Sequence, residues 1–210
     1  MSASIAETIE HTLLSPAATP NDYLRLVREA DSNRLRGVCV PSRWVRFCRP
    51  HLGEGQALVS VIGFPSGAVP AEVKAFEAQR AKMSGATELD MVLDLGAARS
   101  GRWTEVLRDV RGVVRVGLPT KVILETGMLP SSVWLEAARV AESAGAAFVK
   151  TCTGFGPGRA RVEDVVALRQ TVGSSVGVKA SGGIRTRDEA LGLLAAGASR
   201  IGTSRGPDLL

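Results

Sequence analysis

The sequence predicts an α/β protein of the TIM (β/α)8-barrel class. Short β-branched runs alternate with longer amphipathic stretches along nearly the whole chain, which is typical of parallel βαβ units. Eight segments qualify as strands, and a glycine-centred triplet recurs three times between a helix and a strand. The 210 residues lie at the short end of the range for such barrels, so we expect a single domain over residues 1–210.

Eight strands are expected because eight apolar segments are short enough and rich enough in β-branched residues. The first can come only from Thr8 to Leu13. The other seven end in Cys39-Val40, Val61-Ile62, Met91-Val92, Ile123-Leu124, Val149-Lys150, Val178-Lys179 and Ile201-Gly202. Parallel strands are buried on both faces, which explains why these runs are almost continuously apolar.

Amphipathic helices are predicted between the strands. They lie near residues 20–32, 43–50, 70–84, 102–116, 131–144, 161–172 and 186–196. Pro20 and Pro70 suit a first helical turn, where the missing N–H costs nothing. Ser131 and Thr186 are good N-caps, because a side-chain oxygen there can accept from a free backbone N–H.

The recurring triplets place chemically interesting residues at equivalent points. The triplets are Ser84-Gly85-Ala86, Ala144-Gly145-Ala146 and Ala196-Gly197-Ala198. Glycine readily adopts the left-handed conformation that ends helices, so a structural role accounts for them. Five residues after each glycine come Asp90, Lys150 and Gly202. The carboxyl ends of barrel strands carry the chemistry in this fold, so these positions are candidates for a site.

The charge of the chain favours an anionic small molecule over nucleic acid. The net charge is +5, but the arginines are scattered and no run of five basic residues occurs. Aromatic residues make up only 4%, too few for a platform on which bases stack. We therefore expect no nucleic-acid partner and an attraction for anionic substrates.

Neither a membrane span nor a secretion signal is indicated. No apolar run approaches the ~20 residues of a span, and residues 1–10 lack the basic start and apolar stretch of a signal peptide. Three cysteines without CxxC spacing agree with a reducing compartment, so we expect a cytoplasmic protein. His11 and His51, the only histidines, lie far apart, so no histidine-based metal site is expected.

The five lysines among 26 cationic residues differ in their surroundings. Lys74 and Lys82 have the spacing of an exposed helix face, and Lys121 starts a strand where a solvated position at the barrel bottom is expected. Lys150 and Lys179 end apolar strands that should be buried, where a charged amine is costly.

Burial makes Lys150 and Lys179 candidates for Schiff-base chemistry. Arginine keeps its proton, whereas desolvation and a neighbouring cation can make a lysine neutral and nucleophilic. The alternative is that both side chains reach the rim and pair with carboxylates. The two strands alone do not decide between these interpretations.

Asp90 favours the chemical interpretation. Alternation along the strand puts Glu88, Asp90 and Val92 on one face, so two carboxylates there need partners. If Asp90 reaches the amines of Lys150 and Lys179, it is both their compensating charge and a candidate proton carrier. A structural ion pair is the alternative.

Anion-binding signals follow the last two strands. Ser181–Arg185 opens a helix after the Lys179 strand, and Gly202–Gly206 follows the final strand. Bare backbone N–H groups at such loops are where barrels commonly bind phosphate. Each glycine pair alone could be a simple turn. Thr153–Arg159 is a third flexible loop, following Lys150.

Two other residues at strand ends are expected near the pocket. A free cysteine is usually a small buried hydrophobe, so Cys39 is expected to be buried, and at the rim it would react with aldehydes. Glu125 follows an apolar strand and is expected to pair with a lysine at the rim.

Eight segments, most at predicted strand ends, carry a family resemblance. They are Ile9–Leu14, Gly37–Pro41, Val61–Pro65, Glu88–Val92, Lys121–Gly127, Phe148–Gly156, Val178–Thr186 and Arg200–Ser204. In this order and at this spacing they resemble the 2-deoxy-D-ribose-5-phosphate aldolase family.

The resemblance implies a class I aldolase, a lyase that reversibly cleaves 2-deoxy-D-ribose 5-phosphate to D-glyceraldehyde 3-phosphate and acetaldehyde. It implies that Lys150 is the Schiff-base nucleophile, that the charge of Lys179 favours the neutral Lys150 amine, and that Asp90 relays protons. It further implies that Gly182, Gly183 and Ser204 hold the phosphate. We also expect Thr151, Arg205, Glu10 and Cys39 among the substrate- and phosphate-binding residues. No metal or other cofactor is implied, and a homo-oligomer of two or more copies is expected.

The sequence departs from the family pattern at several positions. Glu10 stands where the family usually has aspartate, and Arg205 where it has a small residue. Many members end in a longer tail with a tyrosine, whereas the only tyrosine here is Tyr23, so slow turnover is expected. Two alternatives stay open: another barrel enzyme acting on phosphosugars, or a sugar-phosphate-binding barrel with weak catalysis.

Overall fold

Eight parallel strands form a closed barrel in chain order in the computed structural model, which describes residues 4–210. The strands are β1 Ile9–Thr12, β2 Gly37–Pro41, β3 Ala57–Ile62, β4 Glu88–Val92, β5 Thr120–Ile123, β6 Phe148–Lys150, β7 Gly177–Ser181 and β8 Arg200–Thr203. Each lies where the apolar runs predicted it. The barrel pairs β8 with β1 in parallel, and the predicted fold class is confirmed.

The helices surround the barrel. They are α1 Pro20–Ser32, α2 Val45–Cys48, α3 Ala71–Met83, α4 Leu95–Arg99, α5 Trp103–Val114, α6 Ser131–Ser143, α7 Val162–Thr171 and α8 Arg187–Ala195. Short 3-10 turns lie at Ile5–Thr8, Ser42–Trp44, Arg49–His51 and Pro207–Leu209. Within residues 4–210 no helix combines the length and the apolar character needed to cross a membrane.

Two helical regions differ from the sequence prediction. The helix expected near 43–50 is a single α turn between two 3-10 turns. The five-residue α4 was not expected, because it is too short to show a periodic pattern. Its start is fixed locally: the Asp94 carboxylate accepts from the backbone N–H of Ala97 at 2.9 Å.

The helix starts are only partly as predicted. Thr186 caps α8 in a reciprocal arrangement with Glu189, and Pro20 occupies the first turn of α1. Pro70 instead lies just before α3, and Ser131 is the first residue of α6 rather than its cap. Pro70 and Pro130 each have an extended backbone and directly precede a helix, so α3 begins one residue later and α6 one residue earlier than predicted.

Strand side chains alternate between the helix layer and the barrel interior. The outward residues form one apolar core with the helices; they include Val38, Leu58, Leu89, Val122, Val149, Val178 and Ile201. On the opposite face of β2 and β3, Cys39, Val59 and Val61 form a separate apolar cluster with Leu14 and Phe64. One side of the barrel interior is therefore apolar.

Lys74 is fully buried, so the prediction of an exposed position was wrong. Its Nζ donates to the Asp109 carboxylate at 2.6 Å and to the backbone carbonyl of Val92 at 3.0 Å. Both partners come from other elements, so the spacing of charges along α3 could not reveal them. Burial raises the pKa of Asp109 even though Lys74 opposes the shift. The pair fastens α3 and α5 to the carboxyl end of β4.

Lys74→Met should lower the free energy of unfolding by about 3–5 kcal/mol, because it leaves a buried carboxylate without its cation. Urea denaturation followed by circular dichroism measures the loss. Lys82→Met on the same helix is the matched control: its amine donates to the Val116 carbonyl at 2.7 Å but is exposed, so about 1 kcal/mol or less should be lost. Equal losses would contradict a buried pair.

Candidate active site

A buried carboxylate, Asp90 of β4, is the centre of the polar side of the barrel interior. The Lys150 and Lys179 amines each donate to its Oδ2 at 2.7 Å, and the Lys121 amine donates to its Oδ1 at 3.0 Å. These residues come from the consecutive strands β4 to β7, in which Asp90 is paired with Lys121 and Lys150 with Lys179. The structure thus brings together the three residues that the sequence singled out.

Lys121 is fully buried, which contradicts the expected solvated position at the barrel bottom. Besides Asp90 it contacts Glu88 Oε2 at 2.6 Å and Glu10 Oε1 at 3.4 Å. Closure of the barrel brings carboxylates of β1 and β4 to the Lys121 amine. The position of Lys121 within its own strand does not reveal these partners. Three buried carboxylates therefore face three buried lysine amines.

Glu10 of β1 completes the cluster from the other side. Its Oε2 accepts a hydrogen bond from the Lys179 amine, and its Oε1 lies 3.8 Å from Arg200 Nε. Glu10 is fully buried and bound to protein cations, and it does not line the cavity above the barrel. This placement makes it a partner of Lys179.

The cluster fixes the protonation of its carboxylates. Burial alone would raise the pKa of Asp90, but the charges of Lys121, Lys150 and Lys179 hold that pKa well below its usual range. Burial opposes the shift at Glu10 too, and Lys121 and Lys179 again lower its pKa. Both carboxylates are therefore ionised at neutral pH.

Lys179 keeps its proton. Burial would lower its pKa, but the carboxylates of Asp90 and Glu10 outweigh that effect and raise it. The Lys150 and Lys179 amines lie no further apart than twice 2.7 Å, because they share one oxygen of Asp90. Of the two, only Lys150 lines the cavity above the barrel. An amine at a cavity floor thus lies beside a permanent cation.

The cavity has a volume of about 440 Å³ and is lined by residues of β1, β6, β7, β8 and the segments that follow them. The predicted anion-binding segments Ser181–Arg185 and Gly202–Arg205 meet along one wall. Gly182 and Gly183 have φ of +99° and +71°, a conformation that favours glycine and leaves their backbone bare. Ser204 and Arg205 line the same cavity, and the Thr203 hydroxyl joins the two loops by donating to the Ile184 carbonyl at 2.9 Å.

Three other predicted binding residues differ in their positions relative to this cavity. Arg205 lines it and is 56% exposed, with its Nε 3.6 Å from Asp208. The hydroxyl of Thr151 is bonded to the backbone of Ser181, so Thr151 joins β6 to β7. Cys39 is fully buried with its Sγ 3.9 Å from Asp90, and burial raises the pKa of its thiol to about 11.

Glu125 was expected to pair with a lysine, and this prediction was wrong. Its Oε2 accepts from the backbone N–H of Thr153 at 3.1 Å and from the Thr153 hydroxyl at 2.5 Å. The Thr153 oxygen in turn accepts from the N–H groups of Phe155 and Gly156 at 3.1 and 3.3 Å. Glycines 154 and 156 let this loop fold onto the carboxylate, so backbone and hydroxyl donors take the place of a lysine.

The anchored loop presents an aromatic ring over the barrel mouth. Phe155, after β6, meets Phe64, after β3, edge to face with ring centroids 5.1 Å apart. Phe155 lines the cavity. Sequence reasoning missed this contact, because nothing in either loop shows that they touch.

The arrangement suits chemistry on a carbonyl compound that carries an anionic group. A lysine amine at the cavity floor can condense with a carbonyl, and the adjacent ion cluster can carry protons. The two glycine-containing loops can receive an anion. Within the part of the chain that the structure describes, no group of three histidine, cysteine or acidic side chains is placed to hold a metal ion.

Comparison with known proteins gives relatives along nearly the whole chain, although no protein-family model matches it. The chain is 48% identical over 209 residues to the deoxyribose-phosphate aldolase of Thermococcus gammatolerans, covering 96% of this chain and 93% of that protein. It is 47% identical to the deoxyribose-phosphate aldolase of Streptococcus sanguinis, covering 94% and 91%. The tetrameric deoxyribose phosphate aldolase from Aeropyrum pernix superposes with a TM-score of 0.88 at 36% identity, covering 98% and 88%.

The lowered pKa values of Asp90 and Glu10 predict stability that is lost in acid. In the unfolded chain both carboxyls regain ordinary pKa values of about 4. Their contribution is therefore complete above about pH 5 and is lost as the pH falls through 4 toward the folded-state values. Asp90→Asn should make the unfolding free energy fall less steeply between about pH 6 and 3, measured by urea titration. The exposed Asp208→Asn is the control, and parallel curves for wild type and Asp90→Asn would contradict the assignment.

Proposed function

Because the chain belongs to the deoxyribose-phosphate aldolase family, we propose that it reversibly cleaves 2-deoxy-D-ribose 5-phosphate to D-glyceraldehyde 3-phosphate and acetaldehyde through a Schiff base on Lys150. One observation carries the proposal. The Lys150 amine forms the cavity floor beside a permanently charged lysine, and two glycine-containing loops line the same cavity.

The reaction begins with attack of the neutral Lys150 amine on the C1 aldehyde of the open-chain sugar. The resulting carbinolamine loses water and becomes an iminium ion. The charge of Lys179, held by Asp90 and Glu10, opposes a second ammonium nearby and so favours the nucleophilic form of Lys150. Lys179 is the residue that prepares the nucleophile.

Cleavage follows when the C3 hydroxyl loses its proton. The bond between C2 and C3 breaks, its electron pair moves onto the iminium nitrogen as an enamine, and glyceraldehyde 3-phosphate leaves. Protonation of C2 and hydrolysis of the new iminium then release acetaldehyde. Asp90 is the proposed proton relay, because its Oδ2 accepts hydrogen bonds from both the Lys150 and the Lys179 amine at 2.7 Å.

The phosphate end of the substrate is assigned to the two loops of the cavity wall. Gly182 and Gly183 offer bare backbone, Ser204 offers a hydroxyl and Arg205 a guanidinium. A guanidinium can form two parallel hydrogen bonds with a phosphate, so Arg205 replaces the usual small residue with a direct charge partner. Glu10 and Cys39 act beneath the site through their contacts with Lys179 and Asp90.

We also propose a single-domain homo-oligomer that acts in the cytoplasm. The tetrameric state of the Aeropyrum pernix enzyme supports assembly, as does an exposed apolar part of α3, where Phe76 and Met83 are 67% and 65% exposed. The three free cysteines, all buried, agree with a reducing compartment.

The Schiff base can be trapped directly. Acetaldehyde with borohydride should leave an ethyl group on Lys150, located by peptide mapping, and chelators should not reduce activity because the iminium takes up the electron pair. Lys150→Arg keeps the charge but loses the nucleophile, so neither adduct nor turnover should survive.

The control for this experiment is Lys82→Arg, an exposed lysine whose replacement should leave both adduct and turnover unchanged. Turnover is followed by a coupled assay for glyceraldehyde 3-phosphate. An adduct on Lys179 would reverse the roles of the two lysines, and activity abolished by chelation would contradict the Schiff-base mechanism.

The phosphate site predicts a preference between two sugars. 2-Deoxy-D-ribose 5-phosphate should have a much lower KM than free deoxyribose. Arg205→Ala should raise the KM for the phosphorylated sugar about tenfold with little change in kcat, because a charge-assisted hydrogen bond is lost. Arg108→Ala, exposed on α5, is the control and should change neither constant. Equal use of both sugars by the wild type would overturn the site.

A further inference from the structure

His11 is a buried polar residue that the proposed reaction does not use. It follows Glu10 on β1 and therefore points outward toward α1, where it is only 4% exposed. Both of its ring nitrogens have partners. Nδ1 lies 3.3 Å from the backbone nitrogen of Gly206, and Nε2 lies 2.9 Å from the Glu29 carboxylate.

These partners fix the tautomer of the ring. A backbone N–H can only donate, so Nδ1 must accept from Gly206, and the proton of the neutral ring lies on Nε2 and is donated to Glu29. Glu29 belongs to α1, and its side chain is 40% exposed. A chain of two hydrogen bonds thus connects a helix with the segment after β8.

That segment is the second anion-binding loop. Gly206 directly follows Ser204 and Arg205, which line the cavity. The loop is also held from within, because the Thr203 hydroxyl donates to the Ile184 carbonyl at 2.9 Å and accepts from the Arg205 N–H at 3.0 Å. A Cβ at position 206 would lie 3.1 Å from His11 Nδ1, so the loop rests directly on the ring.

We propose that His11 is a positioning residue for phosphate recognition, acting through Gly206 and never touching the ligand. The inference rests on the proposed function, which assigns the phosphate to this loop. Without His11 the buried Gly206 N–H loses its acceptor, and the loop loses its support from α1. Part of the free energy of phosphate binding is then used to order the loop. This weakens the affinity for the phosphorylated sugar but not for the free sugar.

The test compares two variants of His11 on two substrates. His11→Leu should raise the KM for 2-deoxy-D-ribose 5-phosphate about tenfold, while kcat/KM for free deoxyribose should change less than about twofold. His11→Asn puts an amide oxygen near the position of Nδ1, so it should restore most of the KM. His51→Leu, which replaces the only other histidine, is the control and should behave as wild type.

A second measurement does not depend on catalysis. Hydrogen exchange of the peptide covering residues 200–210, without substrate, should be faster in His11→Leu than in the wild type and near normal in His11→Asn. Should His11→Leu fail to fold, Glu29→Ala removes the half-exposed end of the chain and should give a smaller KM rise in the same direction.

The outcomes separate this inference from the proposed function. Wild-type protein with equal KM for the two sugars overturns the phosphate site, and this role of His11 with it. A wild-type preference that survives His11→Leu unchanged, or equal losses on both sugars, overturns the positioning role alone. Unchanged hydrogen exchange in His11→Leu also overturns it.

Discussion

The shared carboxylate of Asp90 is the interaction on which the rest of the site depends. Three amines approach it inside the barrel, two at one oxygen and one at the other. The ammonium groups of Lys121 and Lys179 could not stay charged there without Asp90, Glu10 and Glu88. The cluster is therefore a complete unit whose members were placed together by barrel closure, and the loss of one leaves uncompensated charge.

The barrel interior has two parts, one that contains this ion cluster and one that is apolar. Cys39, Val59 and Val61 fill the side toward β2 and β3, whereas the charged residues lie on β4 to β7 and on β1. The apolar half lowers the local dielectric and strengthens each charge contact beside it. Of the three amines in the cluster, that of Lys150 lines the cavity.

The sequence predicted the barrel, its strands and the three residues Asp90, Lys150 and Lys179. These predictions rest on apolar strand patterns and on the position of Asp90 and Lys150 after the glycine triplets, and both signals can be recognised from residues close in sequence. Prediction failed where a partner comes from a distant element. Lys74 and Lys121 were expected at the surface because their carboxylate partners lie 31 or more residues away in the sequence. Glu125 was misjudged for the same reason, since its partners belong to a loop 28 residues further along. The helix α4 was too short to leave a periodic signal.

The contact between Phe64 and Phe155 lies over one part of the barrel mouth. The two rings join the segments that follow β3 and β6, and the cavity beside Phe155 is lined from β1, β6, β7 and β8. In the proposed reaction the aldehyde of the substrate must reach Lys150, while its phosphate lies at the glycine-containing loops after β7 and β8. In that reaction the substrate therefore binds in one orientation. Its reacting carbon lies deepest, and its phosphate anchors it to the protein.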